Sequence, residues 1–478
     1  MANISDALTI LPPLVALIVV LWRKEVILAL FLALFTSEFL QLTDPGIIAP
    51  LSGFMASLEQ IIHVFSNAGN SRILMFSLMI GALLAYIRTS GGAGATVELL
   101  VGSGLARGKR SVGMLTSLTG VAVFIESNLS LLTSGILARG LFDKYGMSRA
   151  RLAYIIDSTS APICILILLN AWGAYLLALL NGYEFEQSAA QILWGTVPLN
   201  FYALVTLALV FYTTFTTRVH GPMKTREARA ESMATGHNDG HNDGHNDGHD
   251  NDHNDNDTPT RASFMILPLL TMIVGMITCM FWTGGGDLTR GNGSKSVLYA
   301  TALACLLAYI MMLISRKFSH IQLVKIGFKG MGELLPLVTI VLFSLALGAS
   351  LKQLGTGLYI AGLVGDYLPL VLVVPMLFLA GAVISFTTGT SWGTFAILIP
   401  LGVPLIHTLG LPPSLVLSAI LGGGIFGDHC SPISDTTAVS AIASGCDLLE
   451  HVRTQLPYAL TAGGITLILY AIASFIMI

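Results

Sequence analysis

The chain has 478 residues, of which 54% are hydrophobic and only 11% charged, and its formal net charge is -3. Soluble domains carry about 25% charged residues, so this chain has too few to cover a water-exposed surface, and it lacks the basic stripe that nucleic acid requires. Apolar runs of about twenty residues recur along it, which makes the bilayer the expected solvent.

Met1–Ala7 has no basic segment ahead of the first apolar run, so that run reads as a retained span and not a cleaved signal. Full spans are expected at Ala7–Trp22, Val26–Leu42, Ile73–Ile87, Leu152–Leu180, Leu193–Phe215, Met265–Trp282, Ser296–Ser315, Leu334–Leu351, Pro412–Ser444 and Pro457–Ile478. Ser111–Ala138 and Tyr367–His407 read as re-entrant helical hairpins that enter and leave on one side. With those hairpins, the basic residues fall on a single face: Arg23, Arg88, Lys109, Arg139, Arg149, Arg151, Arg218, Arg226, Arg316 and Arg453 among them. Cytoplasmic loops collect Lys and Arg, so that face is expected to be cytoplasmic, both termini external, and the location a bacterial inner membrane. The five cysteines show no pairing or metal spacing and read as small packing residues.

Thr217–Ala262 is a polar linker between the halves. Inside it the unit His237-Asn238-Asp239-Gly240 recurs, with His241, His245 and His249 opening further copies. Such low-complexity sequence builds no packed core. It reads as a solvated linker grown by repeat slippage, the other reading being metal buffering or pH sensing, since histidine titrates near neutrality.

The two halves share a pattern. The first hairpin carries Phe124-Ile125-Glu126-Ser127-Asn128 and is followed by a span interrupted at Asp157-Ser158-Thr159-Ser160-Ala161-Pro162-Ile163. The second carries Phe386-Thr387-Thr388-Gly389-Thr390-Ser391 and is followed by a span interrupted at Gly427-Asp428-His429-Cys430-Ser431-Pro432-Ile433-Ser434-Asp435-Thr436. The expected fold is therefore an all-α polytopic membrane protein of two inverted repeats with re-entrant hairpins and broken helices, a ground plan of secondary transporters.

Backbone at membrane depth must satisfy its hydrogen bonds internally. Pro162 and Pro432 disrupt helical turns, and the freed carbonyls can coordinate a cation. A charge there costs about 2.5–3.5 kcal/mol on insertion scales, so intramembrane acids are functional candidates. The candidates for binding ion or substrate are Asp157, Asp428, Asp435, Glu126, Asn128, Ser160, Thr388, Thr390, Ser391, Ser431 and Thr436. Asp157 and Asp428 are the expected Na+ ligands, because alkali cations prefer oxygen donors. The acids and Asn128 also admit a structural reading, as a polar knot or a hairpin latch. His429 reads as a proton relay or a polar wall, and Trp172 and Trp392 as packing or a gate.

The run Gly427–Thr437, with Gly389-Thr390-Ser391-Trp392-Gly393-Thr394 before it and Gly445-Cys446-Asp447, His451-Val452 and Gln455-Leu456-Pro457-Tyr458 after it, closely resembles the NhaC-type sodium/proton antiporter family. The resemblance runs from about Ile73 onward, outside the histidine-rich loop. It implies an elevator-type machine with a scaffold and a moving transport domain, often a homodimer. It implies Na+/H+ antiport, and equally admits Na+-coupled exchange of a malate- or lactate-like carboxylate or an amino acid. No cofactor is expected; Na+ and H+ are cargo. The chain then divides into N-terminal scaffold spans with an amphipathic segment (1–72), a first repeat (73–216), the linker (217–262), linking scaffold spans (263–333) and a second repeat (334–478). A channel would not need two matched broken repeats, and no ordered nucleophile–base pair argues for an enzyme.

Overall fold

The computed structural model describes residues 6–23, 25–42, 48–92, 95–96, 108–124, 127–168, 170–181, 183–236, 261–286 and 291–478. Glu126 and the histidine repeat lie outside them. Among the described residues every regular element is a helix. In chain order they are Leu11–Arg23 (α1), Val26–Leu40 (α2), Ala49–Ser66 (α3), Ala68–Thr89 (α4), Lys109–Ala122 (α5), Ser127–Lys144 (α6), Arg149–Leu166 (α7), Ala171–Asn181 (α8), Ala189–Thr196 (α9), Phe201–Thr216 (α10) and Pro222–Gly236 (α11). The second half holds Ser263–Thr283 (α12), Gly293–Ile314 (α13), His320–Glu333 (α14), Leu335–Leu354 (α15), Thr356–Tyr367 (α16), Leu370–Thr388 (α17), Ser391–Leu409 (α18), Pro413–Cys430 (α19), Asp435–Ser444 (α20) and Leu448–Met477 (α21).

Side chains set many of the helix starts. Ser148 caps α7, Ser434 caps α20 and Asp447 caps α21, each accepting a backbone N–H of the first turn. Eight of the described segments are long and apolar enough to cross a membrane, and α4, α12, α13, α15 and both arms of the second hairpin are among them. On α12, Leu270, Val274, Ile277 and Phe281 stand exposed at helical spacing, as do Leu303, Leu306 and Ile310 on α13. A water-soluble surface does not carry such stripes. The chain is a multi-pass membrane protein.

Both hairpins form, α5–α6 and α17–α18. The expected span Leu193–Phe215 is interrupted at 197–200 between α9 and α10. The stretch between the expected spans Val26–Leu42 and Ile73–Ile87 contains α3, and α14 and α16 likewise lie between expected spans and hairpins.

The first broken span departs from the sequence reading. α7 runs unbroken through Pro162, and the interruption falls later, at 167–170. Asn170 explains the shift. Its Nδ2 donates to the carbonyls of Ile167 (2.7 Å), Cys164 (2.8 Å) and Phe124 (2.9 Å), while its Oδ1 accepts from the backbone N–H groups of Trp172 and Gly173. One buried amide thus satisfies both broken helix ends and grips the tip of the first hairpin. In the second repeat the interruption falls at Ser431–Ser434, as the sequence indicated. There Ser431 Oγ donates to the Phe386 carbonyl at 2.7 Å, gripping the second hairpin in the same way.

The repeats run in opposite directions. α7 starts at the basic face, where Arg149 reaches the Gly445 carbonyl, and α8 leads to Phe185, whose ring stacks on His407 near the base of the second hairpin. α19 starts beside that base, and α20 ends where Arg139 bonds the carbonyls of Ile442 and Ala443. A second bundle of α4, α12, α13 and α14 encloses its own apolar core.

Candidate functional site

The site forms where α7, α19 and α21 meet, with the start of α20 against Asp428. Asp157 is fully buried inside α7. Its Oδ2 accepts from Gln455 Nε2 at 2.6 Å, and the same nitrogen donates to the His429 carbonyl at 3.0 Å. His451 Nε2 stands 3.4 Å from Asp157 Oδ2. His429 Nδ1 lies 3.1 Å from the Tyr202 hydroxyl of α10. Asp157 of the first half is therefore held by α21 of the second half, through a residue that also holds the last turn of α19.

Asp428 is equally buried in that last turn. Thr436 Oγ1 donates to its Oδ2 at 3.0 Å across the break, and Thr437 Oγ1 to its carbonyl at 3.5 Å. Asp157 Oδ1, Asp428 Oδ1 and His429 Nε2 have no hydrogen-bond partner among the described residues. Buried polar atoms are ordinarily paired, so these carboxylate oxygens are free to take a cation or a proton.

The close approach of the second hairpin to the break depends on glycine. Gly389 has φ +68°, and a Cβ there would sit 2.4 Å from the Ile433 carbonyl oxygen. In the first hairpin, a Cβ at Gly120 would meet Thr159 Oγ1 at 2.4 Å, and Ser130 Oγ donates to the Gly120 carbonyl. Trp172, Tyr175 and Trp392 close the space between α8 and the second hairpin tip, with ring centroids 4.8–4.9 Å apart and the Tyr175 hydroxyl donating to the Trp392 carbonyl.

The other candidates take varied places. Asp435 is exposed at the first position of α20, where its charge suits the helix N-terminus and its Oδ1 accepts the Thr436 N–H. Ser160 Oγ donates to the Asp157 carbonyl and Thr388 Oγ1 to the Ile384 carbonyl. Thr390 caps α18, Ser391 is buried beside it, and Asn128 is half-buried in the first turn of α6. Each hydroxyl that donates to a carbonyl keeps oxygen lone pairs. Among the described residues no three His, Cys, Asp or Glu side chains converge as a transition-metal site needs. The oxygens left without a described partner at this crossing, Asp157 Oδ1 and Asp428 Oδ1, are carboxylate oxygens, the donor type that hard cations prefer.

The sequence reading did not select Tyr202 or Asn170, and placed Gln455 and His451 only within the resemblance. Gln455 and His451 sit four residues apart on α21, which puts two polar groups on one face of an apolar helix. That spacing was the available signal.

Glu333, the last residue of α14, pairs with Arg88 at the surface.

Residues 163–475 match the model of the Na+/H+ antiporter family. An uncharacterized protein of Haemophilus influenzae is 28% identical, over 98% of this chain and 91% of its own length. The malate-2H(+)/Na(+)-lactate antiporter of Bacillus subtilis is 41% identical over 20% of each chain. The YdaH transporter of Alcanivorax borkumensis shares the fold, with a TM-score of 0.60 at 13% identity over 96% of this chain and 98% of its own.

Proposed function

The chain belongs to the Na+/H+ antiporter family, and from that premise we propose that this secondary transporter exchanges Na+ for H+ at the Asp157–Asp428 centre. The observation that carries the reading is the pair of buried carboxylates at one helix crossing, each with an oxygen that no described residue bonds. A cation bound there favours the charged carboxylate, and a proton removes the charge that binds the cation. Holding one or the other couples the two fluxes, provided the empty charged centre does not cross. Asp435, at the entrance of α20, supplies negative charge near Asp428. The hydroxyls of Ser160, Thr388, Thr390, Ser391, Ser431 and Thr436, together with Asn128, form the polar surroundings of the pathway.

In this reading α4 and α12–α14, with the N-terminal helices, act as scaffold. The hairpins and broken helices carry the site across the membrane as the moving domain. The basic face is cytoplasmic, in the inner membrane of a bacterium.

A second reading, Na+-coupled exchange of a small organic solute, is favoured by one feature. A cavity of about 570 Å³ lies between α3, α8, α15 and α18 and is lined by uncharged hydrogen-bonding groups including Gln60, Asn70, Ser344 and Gln353. Proteoliposomes with a trapped pH dye decide between the two. Under antiport, Na+ alone alkalinises or acidifies the lumen according to its gradient. If Na+ alone moves no protons and a labelled amino acid or carboxylate enters only with Na+, the second reading replaces the first.

A further inference from the structure

The linker helix α11 is built into the domain that carries the site. Glu227 is buried, with Oε1 2.8 Å from Arg151 Nη1 and Oε2 accepting the Ser148 N–H at 2.9 Å, at the start of the helix that holds Asp157. Arg151 Nη2 also donates to the Thr213 carbonyl at 2.8 Å. Glu231 pairs with Lys109 at the start of the first hairpin. Arg226 pairs with Glu450 at 3.2 Å, at the start of the helix that holds His451 and Gln455.

Between α11 and α21 these contacts leave a cleft of about 430 Å³, walled by Pro222, Arg226, Arg229, Glu450, Arg453 and Thr454. Three guanidiniums face one carboxylate. Arg229 and Arg453 are exposed at the mouth and form no ion pair among the described residues. Among the described residues one acid lines the cleft, Glu450, and it is already engaged by Arg226. Guanidinium forks match phosphate oxygens in geometry as well as charge. We infer that this cleft binds a phosphate-bearing anion, either a lipid headgroup or a soluble phosphate compound, and that the bound anion staples α11 to α21.

The phosphate would bridge Arg229 on one wall to Arg453 on the other, relieving the repulsion between like charges. Because Glu227 and Glu450 lie at the starts of the two helices that meet at Asp157, occupancy fixes the basic end of the site-bearing domain. The cleft is separate from the buried carboxylates, so its binding is readable without transport.

The test uses the full chain in nanodiscs of phosphatidylcholine, titrated with inorganic phosphate and pyrophosphate at constant ionic strength, alongside nanodiscs containing phosphatidylglycerol. The readout is the unfolding temperature, compared between wild type and Arg229→Gln/Arg453→Gln. Both residues are exposed, so the variant should fold; its unfolding temperature without anion checks this, and Arg453→Gln alone replaces it if that value falls. A soluble ligand predicts stabilisation by the phosphates in phosphatidylcholine, and a lipid ligand predicts stabilisation by phosphatidylglycerol only. In either case the variant should lose the effect, with apparent affinity weakened at least about tenfold. Equal stabilisation of wild type and variant, or none of the wild type by any probe, overturns the inference.

Discussion

Gln455 and Asp157, 298 positions apart in the chain, meet at 2.6 Å. The bond joins the first repeat to the last helix, and the same amide nitrogen reaches the His429 carbonyl beside Asp428. A single side chain thereby fixes the relative placement of the two buried acids.

Replacing that amide tests its part. Gln455→Leu keeps the volume and removes the donor, leaving Asp157 with one bond fewer in a buried place, a loss of about 1–3 kcal/mol. The expected outcome is a Na+ KM raised about tenfold or more with the protein still folded, since 1.4 kcal/mol is about tenfold. An unchanged KM would show that the bond is incidental.

The second hairpin tip supplies a matched pair of glycine variants. Gly389 and Gly410 both have positive φ, +68° and +67°, but only Gly389 faces a neighbour, the Ile433 carbonyl, while nothing lies near Gly410. Gly410→Ala should cost only the backbone strain, about 1 kcal/mol, and leave transport near wild type. Gly389→Ala must in addition push the hairpin off the break, and transport should collapse. Equal behaviour of the two variants in flux assays contradicts the close approach.

The linker helix is held by a buried ion pair. Glu227→Ala leaves Arg151 buried and unpaired, which destabilises by about 3–5 kcal/mol. Adding Arg151→Met should restore much of the loss, because two apolar groups replace the charged pair. Thermal unfolding in detergent reads both effects; a Glu227→Ala protein as stable as wild type would refute the docking of α11.

If Na+ and H+ share the same carboxylates, acidification must compete with Na+. Protons bound at low pH remove the charge that binds Na+, so the apparent KM for Na+ rises as pH falls. For one shared proton the limiting slope is about tenfold per pH unit. Initial rates measured against Na+ at several pH values check it, and a KM independent of pH throughout would exclude a shared site.

Much of this was legible beforehand because membrane burial makes polar residues conspicuous. The hairpins and the Ser431–Pro432 break were marked by glycine, proline and hydroxyl residues inside apolar runs. The first break was misplaced because Pro162 marks a lost donor only; the helix closes around that loss, while Asn170, a single amide, carries the actual interruption. Asp157 and Asp428 were identified as intramembrane acids, but their partner Gln455 is a neutral side chain near a helix start, and only folding brings it to Asp157. Helices α14 and α16 were missed because short or polar-flanked helices give a weak hydropathy signal, while α3 falls in the N-terminal stretch where an amphipathic segment was expected.

The central claim is that one buried centre holds Na+ or a proton but not both. Its most direct test adds Na+ to the purified chain in weakly buffered detergent solution and counts the protons released. The account predicts that Na+ acidifies the solution, approaching one proton per bound Na+, and that Asp157→Asn and Asp428→Asn each suppress the release. No release from the wild type, or undiminished release from both variants, would contradict it.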